Sequence, residues 1–129
     1  MTTLCIPEQR AFLGFDLLYN RVHAWCGTGV VKAELENWIH SLDAIKRKTT
    51  ASEWTFYCGH GSEGTRETLS NMKAYLQTFI KVTSPARSRE EVIEKMKQSF
   101  PGFVEDDFLL VQSVNFHVTE NPAGSTRAS

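Results

Sequence analysis

The sequence predicts a single α/β domain with an incomplete sheet. In the first half of the chain, short apolar runs alternate with a longer segment of helical periodicity, an order typical of a βαβ unit. The 129 residues suffice for one domain, and 41% hydrophobic with 22% charged residues is typical of a globular protein. Two strands do not make a stable sheet, so we expect either a further strand in residues 3–6 or completion by another polypeptide.

The first half supplies two strands and a helix. Residues 11–19 (AFLGFDLLY) are apolar apart from Gly14 and Asp16, which predicts a strand to about Phe15 and then a turn or short helix. Residues 32–48 predict a helix with basic residues in its last turn, which complement the helix dipole. Residues 54–58 predict a second strand. The inward face of the helix is formed by Leu35, Trp38, Ile39, Leu42 and Ile45.

The second half predicts three helices, over residues 65–82, 88–100 and 105–117. Ser88 and Glu91 have the spacing of a capping box, in which each side chain accepts a hydrogen bond from the other residue's backbone N–H. Pro101-Gly102 ends the middle helix. We therefore expect a folded domain over residues 1–118 and a disordered tail over 119–129, which has no core-forming residues.

The composition and charge of the chain limit which binding partners and which cellular compartment we expect. A net charge of -1 provides no general attraction for nucleic acid. No apolar run approaches the roughly 20 residues that a membrane-spanning helix needs, and no signal peptide is evident. We expect a cytoplasmic protein with no nucleic-acid or membrane partner. Cys5, Cys26 and Cys58 are an odd number without CxxC spacing, so reduced, buried cysteines are expected.

The most informative motif is WTFYCGHGSEG, residues 54–64. His60 follows an apolar strand between Gly59 and Gly61, which allow a sharp turn and keep bulk away from the imidazole. This arrangement suits a metal ligand or an acid/base group, and a turn histidine bonded to nearby backbone is the alternative. Asp16 is a second polar residue on an apolar strand, and the two together suggest part of a metal site.

The same segment nearly matches a phosphate-binding loop. Residues 59–65 have the form Gly-x-x-x-x-Gly-Thr between a strand and a helix, but the essential lysine is absent. Helix N-termini bind anions without the full motif, which leaves weak anion binding as an alternative. Nucleotide hydrolysis is not supported.

Taken in order, several motifs resemble the carboxyl-terminal half of metallo-β-lactamase-fold hydrolases. The resemblance covers residues 6–117 and implies half of an αββα sandwich with metals at one edge. Asp16 matches the family's bridging aspartate, and His60 matches its last histidine ligand. The motifs are FLGFDLLYNRVH (residues 12–23), a helix with Trp38 and Leu42, YCGHG (57–61) and FPGF (100–103).

The departures from the family suggest a partial site. The family's His-x-His-x-Asp-His cluster is absent, and Phe15 stands where the family usually has glycine, so its ring could crowd the metal position. The resemblance implies zinc or another divalent metal in an intact site, with Asp16 and His60 as two ligands. His23 is a candidate for substrate or partner contact, and a surface or half-buried loop histidine is the alternative.

The sequence and the family resemblance lead us to expect one of two functions. The first is a fragment or truncated member of a metal-dependent hydrolase family, inactive without the missing half. The second is a non-catalytic α/β domain that acts through self-association or partner binding. Half a sandwich exposes a sheet face, so we expect a homodimer or a complex with a complementary amino-terminal half.

Overall fold

The computed structural model describes residues 3–27, 30–49, 53–85 and 87–118, and it has a mixed α/β architecture. Its sheet has three strands in the order β1-β2-β3, with β1 antiparallel and β3 parallel to β2. The predicted βαβ unit and the extra amino-terminal strand are both present. The elements are β1 (Leu4–Ile6), β2 (Ala11–Tyr19), α1 (Lys32–Lys48), β3 (Thr55–His60), α2 (Arg66–Thr83), α3 (Arg89–Ser99) and α4 (Val111–Val118).

Several predicted elements match the structure closely. The bounds of α1 are those expected, and α2 and α3 differ from expectation by about one residue at each end. The capping box of α3 is formed: Glu91 N–H donates to Ser88 Oγ over 3.1 Å, and Ser88 N–H donates to Glu91 Oε1 over 3.2 Å. The expected disordered tail, residues 119–129, lies outside the described residues.

Two predicted elements were wrong in detail. Strand β2 does not end at about Phe15 but continues to Tyr19, because it stays paired with β3 along this length. The last helix does not run unbroken from residue 105. Glu105 has a left-handed φ of 67°, a single π-helical turn covers Asp106–Leu110, and α4 follows.

One sheet face is buried under the helices and the other is open. Phe12 and Phe56 are register partners on the buried face, at 4% and 0% exposure, with ring centroids 6.0 Å apart. Because side chains alternate along a strand, the next row, Leu4, Leu13 and Tyr57, lies on the opposite face. In that row Leu4 is 50% and Tyr57 45% exposed. The sheet is therefore an incomplete layer.

Helix α4 is held to the segment after β2 by two polar side chains. Ser113 Oγ accepts the Cys26 N–H over 2.7 Å, and His117 Nε2 donates to the Cys26 carbonyl over 2.8 Å. The His117 ring also meets Phe79 edge to face. Because His117 precedes the polar tail, the sequence predicts no role for it, and this prediction is wrong. Burial lowers its pKa, so the folded protein favours the neutral imidazole.

The cysteines differ in their surroundings. Cys26 is fully buried, Cys58 is half-buried, and burial raises the pKa of the Cys58 thiol to about 11. Cys5 is exposed, contrary to expectation, because β1 is an edge strand that the helices do not cover. All three are free thiols. In the part of the chain that the structure describes, no helix combines the length and apolar character needed to cross a membrane.

We expect acid to destabilise the fold through His117. The unfolded chain, with an ordinary imidazole pKa of 6.5, takes up the proton at a higher pH than the folded protein does. This contribution is constant well above that pH and is lost as the pH falls below it. Urea unfolding from pH 8 to about pH 5 measures the loss, which should be smaller in His117→Gln. The exposed His40→Gln is the control; an equal pH dependence in both variants would contradict the assignment.

Candidate functional site

The carboxyl ends of β2 and β3 place Asp16 beside His60. The two strands are parallel, and Tyr19 is the register partner of His60. Between two paired positions, β2 advances six residues, from Leu13 to Tyr19, while β3 advances only three, from Tyr57 to His60. The extra residues of β2 form a bulge. Asp16, expected at the end of its strand, therefore lies within β2 and still reaches the last residue of β3.

The bulge depends on two unusual backbone features. Phe15 has a left-handed φ of 50°, a conformation that a bulky residue adopts only when its surroundings impose it. Gly59 faces this point, and a Cβ there would overlap the Phe15 carbonyl oxygen. Gly59 thus allows the two backbones to approach closely, a role that the sequence pattern did not reveal. Phe15 itself is 48% exposed.

The turn after His60 is also tightly defined. Gly61 has a φ of +91°, which confirms the expected sharp turn, and a Cβ on it would overlap the Asn20 carbonyl oxygen. Asn20 N–H donates to the His60 carbonyl over 3.0 Å. The Asn20 side-chain amide lies 3.1 Å from the Ser62 carbonyl oxygen and 3.3 Å from that of Glu63. Asn20 therefore holds the loop that follows His60, and sequence reasoning missed it.

The Tyr19 ring supports the imidazole of His60. The two rings are stacked, with centroids 4.5 Å apart and planes 4° from parallel. Tyr19 is 5% exposed, and desolvation by burial raises its pKa to about 12. The phenol is neutral at physiological pH, so Tyr19 orients His60 without adding charge. Sequence reasoning missed this role, because it depends on the pairing of Tyr19 with His60, two residues that lie far apart in the chain.

Asp16 and His60 face each other across the open end of the sheet. Nε2 of His60 lies 3.4 Å from Oδ1 of Asp16, and the two side chains are 40% and 79% exposed, respectively. This separation exceeds the roughly 2.7–3.2 Å of a typical N–H···O hydrogen bond. An ion pair this exposed contributes little to stability, because water screens it. The pair is therefore poorly explained as a structural contact.

The geometry fits two ligands of one metal ion. Zinc–nitrogen and zinc–oxygen bonds of about 2.1 Å at a tetrahedral angle hold their two ligand atoms about 3.4 Å apart. His60 Nε2 and Asp16 Oδ1 already have that separation. Both are donor types that zinc and similar divalent ions accept. No third donor joins them: the described residues contain no group of three His, Cys, Asp or Glu able to hold a metal.

The other expected contact residue, His23, lies elsewhere. It is 1% exposed, its Nδ1 is 2.8 Å from the Tyr75 hydroxyl, and its ring meets Phe103 edge to face. A side chain this deeply buried is not accessible to a substrate or a partner. His23 is more deeply buried than either interpretation of the sequence expected. Its backbone N–H also donates to the Val104 carbonyl over 2.9 Å, which ties its loop to the segment before α4.

We expect Gly59→Ala to disrupt the site by pushing the β2 bulge away from β3. Accommodating a methyl group in such a packed position costs about 1–3 kcal/mol of unfolding free energy. The NMR signals of His60 and Asp16 should shift as the strands separate. Ser62→Ala, in the adjacent exposed turn, is the control and should leave both measurements near those of the original protein. Unchanged stability in Gly59→Ala would show that the close approach is not required.

A scan against protein-family models gives no match to this chain, and a search of curated proteins gives none either. The resemblance to one half of the metallo-β-lactamase sandwich stays a prediction. The functional evidence is therefore the geometry of Asp16 and His60 and the chemistry that these side chains support.

Proposed function

We propose that the protein is a partial, metallo-β-lactamase-like member of a metal-dependent hydrolase family, in which Asp16 and His60 supply two metal ligands. The observation that carries the proposal is the 3.4 Å separation of His60 Nε2 and Asp16 Oδ1 at the ends of parallel strands. Ligands commonly gather at the carboxyl edge of such strands. The strained Phe15 backbone beside Asp16 adds support, since strain of this kind clusters at functional sites.

The proposed site is incomplete within the described residues. A catalytic zinc ordinarily has three protein ligands and one open position, and Asp16 and His60 supply two. Asp16 is also 79% exposed at its side chain, so bulk water reaches the pair freely. The remaining ligands, and the walls that exclude water, would come from a complementary half on another polypeptide or elsewhere in a longer protein. Without them we expect no hydrolysis.

The chain's own contribution is to hold the two donor atoms. Tyr19 fixes the plane of the His60 ring by stacking, and the Asn20 N–H anchors its carbonyl. A neutral imidazole with its proton on Nδ1 leaves the Nε2 lone pair directed to the ligand position. Asp16 adds a negative charge that favours a cation. Asp16 and His60 would hold a divalent metal in a completed site, and the metal would supply a water of lowered pKa for hydrolysis of an ester, amide, lactone or thioester.

We expect the isolated chain to bind Zn²⁺ or Co²⁺ weakly through these two residues. Asp16→Asn and His60→Gln each remove one donor of similar shape, so each should reduce the affinity at least roughly tenfold. Calorimetric titration with Zn²⁺ and the visible absorption of Co²⁺ measure the change.

Matched controls exist elsewhere on the surface. His40→Gln removes an exposed histidine of α1, and Asp43→Asn removes a carboxylate that pairs with Lys73 at 3.1 Å. Both controls should leave the affinity unchanged. If all four variants bind metal equally, the ions bind nonspecifically to the surface and Asp16 and His60 are not ligands.

A second candidate function is self-association without catalysis, which the open sheet face favours. The adjacent side chains Leu4, Leu13 and Tyr57 form an apolar row across all three strands. Apolar side chains that lie side by side in this way mark interaction surfaces more often than scattered ones do. A second copy would cover the row by packing sheet against sheet. The cytoplasmic location expected from the sequence stays a prediction for either function.

Sedimentation velocity tests this second candidate. We expect a dimer that dissociates in Tyr57→Lys, because the substitution places a charge in the middle of the apolar row. Phe108→Lys is the control, since Phe108 is 58% exposed but lies outside the sheet. A monomer at every concentration, or equal dissociation of both variants, would rule out association through this face.

A further inference from the structure

A cleft with one charged lining residue lies next to the proposed metal ligands but apart from them. It has a volume of about 400 Å³ and lies between the end of β2, one side of α2 and the turn that follows α3. This volume is within the range of small-molecule sites, about 300–1,000 Å³. Tyr19 lines the cleft and also stacks on His60, so the two regions share one side chain.

Aromatic side chains form one wall of the cleft. The ring centroids of Tyr75 and Phe100 are 4.7 Å apart, and those of Phe100 and Phe103 are 5.3 Å apart. Tyr75 is 1% exposed, and its hydroxyl points away to His23 Nδ1, at 2.8 Å. Its polar end is thus satisfied in the interior, which leaves the ring as apolar wall. Rings packed in this way present a rigid surface to a flat or aliphatic ligand.

Arg21 is the only charged residue that lines the cleft among the described residues. Its guanidinium carbon lies 5.6 Å from the centroid of the Phe103 ring, which holds the side chain over the aromatic wall. No carboxylate in the described part of the chain forms an ion pair with it. A planar guanidinium with free donors is the group that proteins use to bind carboxylates in a bidentate manner.

We propose that this cleft binds a small carboxylate with an apolar body. The aromatic wall would pack against the body, and Arg21 would pair with the carboxylate at the rim. A single arginine favours a monoanion over a polyphosphate, which requires several cationic or backbone donors. The amide of Asn71 also lines the cleft and could bind a polar substituent. Carboxylate binding in the cleft requires no metal, so this proposal does not depend on metal binding by Asp16 and His60.

Cinnamate, cinnamyl alcohol and cinnamylamine make a matched set of probes, since they share one apolar body and differ in charge. With metal chelated, NMR titration of the whole chain should show saturable binding of cinnamate, with shifts at Phe100 and Phe103. Cinnamate should bind about tenfold or more tightly than the alcohol, and the amine more weakly still. In Arg21→Gln that preference for the carboxylate should disappear, while affinity for the alcohol stays the same.

Two further variants make the test decisive. Ala74 lines the cleft from an exposed position on α2, so Ala74→Phe should fill the cleft without disturbing the core and abolish binding of both cinnamate and the alcohol. Lys81→Gln removes a positive charge from α2 outside the cleft and should change nothing. The proposal is overturned if cinnamate does not bind saturably, if it binds no better than the alcohol, or if Ala74→Phe binds it normally.

Discussion

The close approach of the β2 bulge to Gly59 is the constraint on which the rest of the site depends. It lets β2 and β3 stay paired to their carboxyl ends, although β2 advances six residues over the length in which β3 advances three. Asp16 consequently reaches His60, Tyr19 stacks on the imidazole, and Asn20 holds the following turn. A side chain at position 59 would force the strands apart, because the Phe15 carbonyl fills the space that its Cβ would need.

Two exposed features of the molecule lie on the sheet. The proposed ligand pair is open to water, and one sheet face shows a row of apolar side chains. A polypeptide packed on that face would bury apolar surface, and near the strand ends it could also supply ligands. The two candidate functions are therefore related physically, since both require something to cover the sheet. They differ in whether the covering surface brings metal-binding residues.

The aromatic cluster around Tyr75 links the interior to the proposed carboxylate cleft. His23 is buried against Tyr75 and Phe103, and these rings form the wall that Arg21 lies over. A histidine considered for ligand contact instead supports the side chains that would make such contact. This arrangement gives the cleft a rigid wall, because the Tyr75 hydroxyl has its partner in the interior.

The sequence by itself determined helices α1, α2 and α3 and the order of the elements. Apolar residues at helical spacing and the Ser88–Glu91 capping box are local patterns, and they set the bounds of α1, α2 and α3 closely. Glycines on both sides of His60 also identified that residue as unusual. Tertiary structure decided the rest: that β2 continues past Phe15, that Asp16 lies beside His60, that His23 is buried, and that His117 packs half-buried against Phe79. Each of these depends on contacts between residues far apart in the chain, which local periodicity and spacing do not encode.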